Sequence, residues 1–267
     1  MSEAPLLLHG DCLDLLDKLP AQSIDLVLTD PPFGCTKAAW DRPLDFGLLW
    51  PKLRRVLRQT GTVLLFGYEG FTVDLINSNR DEYRYRYVWV KSRPSRFMDY
   101  KIRPMPKFED ITVFMRGGVK GSWYEPVRTF GHKPYKTVRS TPKVSGLWDF
   151  NDTETAGTIR ISDGTDGGRY PTTVLEYGIV SSSRRRHPTE KPADLLAQLI
   201  RCHCPPQGTV LDFCMGSGST GMAALSTGRR FVGMELDKTF FDAAAAAIFD
   251  RWKTQPAELL IENSDND

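Results

Sequence analysis

The chain has 267 residues, 40% hydrophobic and 25% charged, a balance that excludes wholesale disorder and a membrane-embedded protein. Its net charge of +2 hides an asymmetry: residues 84–143 carry fifteen Lys or Arg against Asp99, Glu109, Asp110 and Glu125, a net +11 that leaves −9 elsewhere. Such a stretch suits a polyanion-binding face, although a merely solvated basic surface has the same composition.

In chain order, Leu6–Leu8 reads as a short strand, Asp11–Lys18 as a helix and Ile24–Thr29 as a second strand. The first apolar run is cut short by His9-Gly10-Asp11, too short for a signal-peptide core or a spanning helix, so a cytoplasmic protein that avoids membranes is expected. Asp30-Pro31-Pro32-Phe33 then stands at a strand's carboxyl end, the edge at which open α/β sheets bind ligands. A helix follows from about Asp45 to Gln59, with Leu48, Leu49, Leu53, Val56 and Leu57 on its stripe. Gly61 closes that helix before a strand over Thr62–Phe66, and further strands are expected at Tyr85–Val90 and Ile111–Met115.

From Arg116 to about Ser183 periodicity is lost, which suggests a loop-rich recognition insertion. The α/β pattern resumes with a helix at Ala193–Arg201, a strand at Thr209–Phe213, a helix at Ser219–Ser226, a strand at Arg230–Met234 and an alanine-rich helix at Lys238–Trp252. One α/β domain is therefore expected in two halves, residues 1–116 and 184–267, separated by the insertion 117–183. The five cysteines (Cys12, Cys35, Cys202, Cys204, Cys214) do not form a disulfide framework, and Cys202-His203-Cys204 lacks the second Cys/His pair of a zinc site; packed thiols and no metal are expected.

Two motifs carry chemistry. Gly216-Ser217-Gly218-Ser219-Thr220-Gly221 lies between a strand and a helix, and glycines there let backbone approach a nucleotide closely. Glu235 ends the next strand, where a carboxylate can accept both hydroxyls of a ribose. These features fit a dinucleotide or S-adenosylmethionine equally, and a ligand-free tight turn has the same glycines. In Asp30-Pro31-Pro32-Phe33 the prolines fix φ and remove two amide donors, so a carboxylate and a carbonyl can grip an amino group beside a flat ring. An ordinary strand-ending turn also begins with Asp-Pro.

Asp30-Pro31-Pro32-Phe33 resembles the Asp-Pro-Pro-Tyr motif of amino-methyltransferases, and Asp212 to Thr220 resembles their cofactor loop. His187-Pro188-Thr189-Glu190-Lys191-Pro192 is similar to a third family block, and Gly10-Asp11 to a fourth. With the catalytic motif before the cofactor loop, the order resembles the permuted β class of DNA amino-methyltransferases. Cys214 departs from the family's usual phenylalanine, Phe213 from its proline and Phe33 from its tyrosine.

The resemblance implies a Rossmann-like S-adenosylmethionine-dependent methyltransferase fold with a mostly parallel sheet and an inserted target-recognition region. It implies catalytic roles for Asp30, Pro31, Pro32 and Phe33. Cofactor contacts are implied for Asp11, Cys12, Asp30, Lys191, Asp212, Phe213, Cys214, Gly216, Ser217, Gly218, Ser219, Thr220, Glu235 and Leu236, with Asp11 near the adenine and the block around Lys191 enclosing the methionine end. The implied partner is double-stranded DNA, and a homodimer is admitted because related enzymes are often dimers. Family members with aspartate at the Asp30 position usually act on adenine N6, whereas cytosine N4 enzymes more often carry serine there.

Trp123, Tyr124, Tyr135, Trp148 and the run Arg184-Arg185-Arg186 are candidates for filling the gap of a flipped base or binding phosphates, or are ordinary core rings and surface charges. A nicotinamide oxidoreductase explains the glycine loop but leaves the other blocks unexplained. A catalytically inactive DNA-binding protein and a structured-RNA methyltransferase use the same basic stretch.

Overall fold

The computed structural model describes residues 3–34, 41–133, 166–180 and 190–254. They fall into two compact units, Met1–Glu125 with Thr173–Asp267, and Pro126–Thr172.

The larger unit is one eight-stranded sheet among the described residues, built from β1 (Leu6–His9), β2 (Ile24–Thr29), β3 (Leu57–Gly67), β4 (Tyr83–Lys91), β5 (Phe108–Met115), β6 (Val174–Tyr177), β7 (Thr209–Asp212) and β8 (Arg230–Glu235). Their order is β1-β8-β7-β2-β3-β5-β4-β6, and only β5 runs against the rest. Central strands such as β2, whose six residues are all buried, carry few polar side chains because helices cover both faces. The helices are α1 (Cys12–Leu16), α2 (Phe46–Val56), α3 (Gly70–Ser78), α4 (Gly118–Gly121), α5 (Ala193–His203), α6 (Ser219–Ser226) and α7 (Lys238–Lys253). One core cluster joins α5, α6 and α7 to the sheet through Leu196, Ile200, Ala224 and Ile248, and a second joins α1 and α2 through Leu16, Leu49 and Leu53.

From β2 the chain continues to β3 on one side, whereas from β7 it continues to β8 on the other. The carboxyl ends of β2 and β7 therefore flank the crevice at which the winding reverses, the ligand-binding position of doubly wound sheets.

The expected elements are present with shifted bounds. The α2 stripe holds at Leu49, Leu53 and Val56, but Leu48 is exposed and the helix stops at Val56, because Leu57 already pairs with Ile24 in the sheet. Helix α3 and strand β6 were not foreseen. β6 lies in the stretch read as loop-rich and is a four-residue edge strand on β4, too short to show alternation. In the smaller unit, Thr129 and Arg169 form an antiparallel bridge, and the Arg128 guanidinium pairs with Asp166 at 2.8 Å. Among the described residues no helix is long and apolar enough to cross a membrane.

Candidate active site

A cavity of about 830 Å³ opens at the carboxyl edge of the sheet. Its wall includes Asp11 and Cys12 after β1, Asp30 to Phe33 after β2, Lys191 before α5, Asp212 to Ser217 after β7, Ser219 and Thr220 at the start of α6, and Glu235 and Leu236 after β8. Of the residues the sequence singled out for catalysis or cofactor binding, Gly218 alone is not on this wall.

Gly218 acts underneath. Its φ of +78° suits glycine, and an added Cβ would lie 2.8 Å from Ile248 on α7. A Cβ on Gly221 would meet Phe231 at 2.6 Å, so both glycines let α6 approach β8 and α7 closely. Above them Glu235 is fixed by two backbone amides, Gly216 N–H donating to Oε2 and Asp237 N–H to Oε1, each at 2.9 Å. Each oxygen keeps acceptor capacity, so the carboxylate is oriented without being used up. Asp11 Oδ1 accepts from Leu13 N–H at 2.8 Å and caps α1.

Asp212 is buried, and burial pushes its carboxyl up to about 7 against hydrogen bonds from Thr220, the Cys214 amide and Thr29. Phe213 is wedged in the core with its amide donating to Thr29 Oγ1 at 3.2 Å, which explains an apolar residue in place of proline. A hydrogen bond with Cys12, then burial, pushes the Cys214 thiol well above its usual range, so the Cys214 sulfur is a poorly ionised packing group.

The least expected feature surrounds Asp30. Lys191 Nζ donates to Asp30 Oδ2 at 2.7 Å and lies 3.2 Å from Glu109 Oε2, while Lys91 Nζ lies 2.5 Å from Glu109 Oε1. The chain Asp30–Lys191–Glu109–Lys91 is neutral as a whole, and the Lys191 ammonium also sits 4.8 Å over the Phe66 ring. Asp30 Oδ1 is buried and accepts no hydrogen bond among the described residues. Burial raises the Asp30 carboxyl above its usual range while Lys191 pulls it back. Burial also opposes ionisation of Glu109, but Lys191 and Lys91 outweigh it and hold that carboxyl low.

Glu109 and Lys91 were missed by sequence reasoning. The signal was present as two acids, Glu109 and Asp110, opening an otherwise apolar strand, but their partners depend on sheet register. Lys191, expected at the cofactor, lies on the cavity wall and pairs there with Asp30. Phe33 packs against Phe71, with ring centroids 4.9 Å apart, leaving it partly exposed. Cys202, His203 and Cys204 are buried, with Tyr87 Oη and His203 Nε2 2.9 Å apart, and burial pushes the imidazole down to about 4. Tyr135, Trp148, Cys35, Arg184 to Arg186 and His187 to Thr189 lie outside the described residues.

The profile of the DNA methylase family matches residues 24–246. The type II methyltransferase M.HinfI of Haemophilus influenzae is 26% identical over 271 residues, covering 89% of this chain and 66% of that protein, so the chain spans just under two thirds of that relative. Among solved structures, the cytosine-N4-specific PvuII DNA methyltransferase superposes with a TM-score of 0.63 at 17% identity, covering 95% of this chain and 93% of that one. The M1.HpyAVI–SAM complex superposes at 0.58 with 20% identity, covering 90% and 97%. The Rossmann-like methyltransferase fold, with its mostly parallel sheet, is common to them.

Proposed function

The chain belongs to the DNA methylase family, and from that premise we propose that it transfers a methyl group from S-adenosylmethionine to the N6 amino group of adenine in duplex DNA, acting on a flipped base. The observation that carries this reading is Asp30 Oδ1, a buried carboxylate oxygen with no hydrogen-bond partner among the described residues, on the wall of a cavity bordered by the glycine loop. A buried acceptor without a donor is costly in a folded protein, and the amino group of an extruded base supplies one.

The cavity fits the cofactor. Its volume lies in the range of ligand sites, Glu235 presents an oriented carboxylate to a ribose, and Gly216, with φ of +49°, lets backbone come close. Asp11 and Leu236 would flank the nucleoside end, and Asp212 lines the wall near Asp30. When bound, S-adenosylmethionine supplies an electrophilic methyl group.

The chain's own residues do the rest. An exocyclic amine is a weak nucleophile because its lone pair is delocalised into the ring. Hydrogen bonds from the two N–H groups to Asp30 Oδ1 and the Pro31 carbonyl favour a more tetrahedral nitrogen. As the N–C bond forms the methyl–sulfur bond would break to leave a neutral thioether, and the Asp30 carboxylate stabilises the positive charge that develops on the nitrogen until one proton passes to water. Lys191 opposes the effect of burial on the Asp30 carboxyl, and the stiff Pro31-Pro32 segment keeps the carbonyl in place. Phe33, partly exposed on the cavity wall, would stack on the extruded base, which offsets part of a flipping cost of a few kcal/mol.

Aspartate at position 30 favours adenine over cytosine, and residues 117–183, which overlap the end of the basic stretch, are assigned to target recognition. Similarity to M.HinfI, a type II methyltransferase, supports a restriction-modification role. A nicotinamide enzyme would leave Asp30-Pro31-Pro32-Phe33 without a task. Single-molecule sequencing of DNA from a methylation-free host expressing the chain tests the assignment. N6-methyladenine in one fixed context is expected; N4-methylcytosine would overturn the base, and unmodified DNA would overturn the activity.

A further inference from the structure

We propose that the arch joining β4 to β5, residues 92–107, is a wedge that enters duplex DNA beside the target base and fills the space the flipped base leaves. The inference rests on the reading of the chain as a DNA amino-methyltransferase and assigns a task to a surface that reading does not use. Met98, Ile102 and Phe97, at 86%, 83% and 69% exposure, are the three most exposed large hydrophobic side chains among the described residues, and all lie within six positions. A patch of this kind on a folded protein marks an interaction surface.

The arch is braced. Asp99 Oδ2 accepts from Arg96 Nε and from Arg103 Nε, both at 2.9 Å, and Arg103 reaches on to Glu69 Oε1 at 2.8 Å. Its stem is closed by the Ser95 amide donating to the Pro106 carbonyl at 2.8 Å, and the rings of Phe97 and Tyr100 stack with centroids 5.5 Å apart. These bonds hold the apolar tip out in solvent, whereas a slack loop would fold those side chains onto the surface.

Position and charge select the occupant. β4 runs in the same direction as β2 and β7, so the arch leaves the sheet at the edge that carries Asp30 and Asp212. Its anchor Glu69 lies two residues before Phe71, the ring packed on Phe33. Arg93, Arg96, Lys101, Arg103 and Lys107 against Asp99 alone give the arch a net charge of +4. Two such surfaces repel each other in a symmetric dimer, while cations around an apolar tip suit phosphates flanking an opened base step.

The test compares the full-length protein with its Phe97→Ser/Met98→Ser/Ile102→Ser variant, whose changes lie at exposed positions. The substrate is a duplex carrying the context found by sequencing, with the target base either paired or opposite an abasic site. Slowing of methyl transfer by about ten-fold or more on the paired duplex is expected, because flipping there costs most, with transfer within about two-fold of the parent on the abasic duplex. Affinity for S-adenosylmethionine stays unchanged. Equal rates on the paired duplex, or equal losses on both, overturn the wedge. So does a shift from dimer to monomer in sedimentation with the rate ratio unaltered, which makes the patch an interface between copies. A parent protein that methylates neither duplex defeats the methyltransferase reading itself.

Discussion

At the scale of single residues, the unusual element is the ionic chain behind Asp30. Removing one partner from a buried pair leaves an uncompensated charge, so Lys191→Met should cost about 3–5 kcal/mol of stability, measured by denaturant unfolding. Glu109→Gln probes the same chain from its other acid. Glu109 helps raise the Asp30 carboxyl, so neutralising it should move the acid limb of the pH–rate profile to lower pH while cofactor affinity holds. An unmoved limb would make Glu109 a structural partner of the lysines only. Asp212 gives a second pH signature. Its carboxyl, near 3.8 when unfolded, is raised to about 7 when folded, so its favourable contribution is full below about pH 4 and disappears as pH rises through about 7. Asp212→Asn should therefore gain stability relative to the parent between pH 5 and pH 8, by up to a few kcal/mol in urea unfolding. Asp30, Asp212 and Glu235 were legible because each lies in a local motif at a strand end. Lys91 and Glu109 were not, because the register of β4 against β5, which sets Trp89 opposite Glu109, brings them together across the sheet.

At the scale of elements, the glycine loop and its helix are the most constrained pieces. Gly221→Ala places a methyl group against Phe231 and Ile248 in a full core, and overpacking of this kind costs about 1–3 kcal/mol. Gly218→Ala adds an unfavourable positive φ and should be worse. A thermal melt of both variants checks the order. Strong periodicity and flanking turns made the cores of α2, α5, α6 and α7 and of most strands readable, since tertiary packing there agrees with local pattern. α3, with only Thr72 and Leu75 buried, offers a weak stripe and escaped notice. Leu57 could extend a helix as well as begin a strand, and pairing with Ile24 decides for the strand.

At the scale of the whole molecule, winding direction places four strand ends, those of β1, β2, β7 and β8, around one cavity, although their site residues span Asp11 to Leu236. The order of motifs predicted this arrangement because a parallel sheet puts every carboxyl end on the same edge. The charge asymmetry acts at the same scale. If the +11 stretch contacts phosphates, neutralising Arg93, Lys101, Lys107 and Lys120 together should flatten the dependence of log affinity on log salt by about one unit for each side chain that touches a phosphate. An unchanged slope would move DNA binding elsewhere.

The central claim is that Asp30 acts on the amino group and is dispensable for holding the cofactor. Its most direct test is one assay pair on Asp30→Ala: calorimetric affinity for S-adenosylmethionine, and labelled methyl transfer to duplex DNA carrying the sequenced context. Affinity within a few-fold of the parent with transfer reduced by a factor on the order of 10³ or more is the predicted result, as for loss of a group that stabilises transition-state charge. Transfer at the parent rate would contradict the claim.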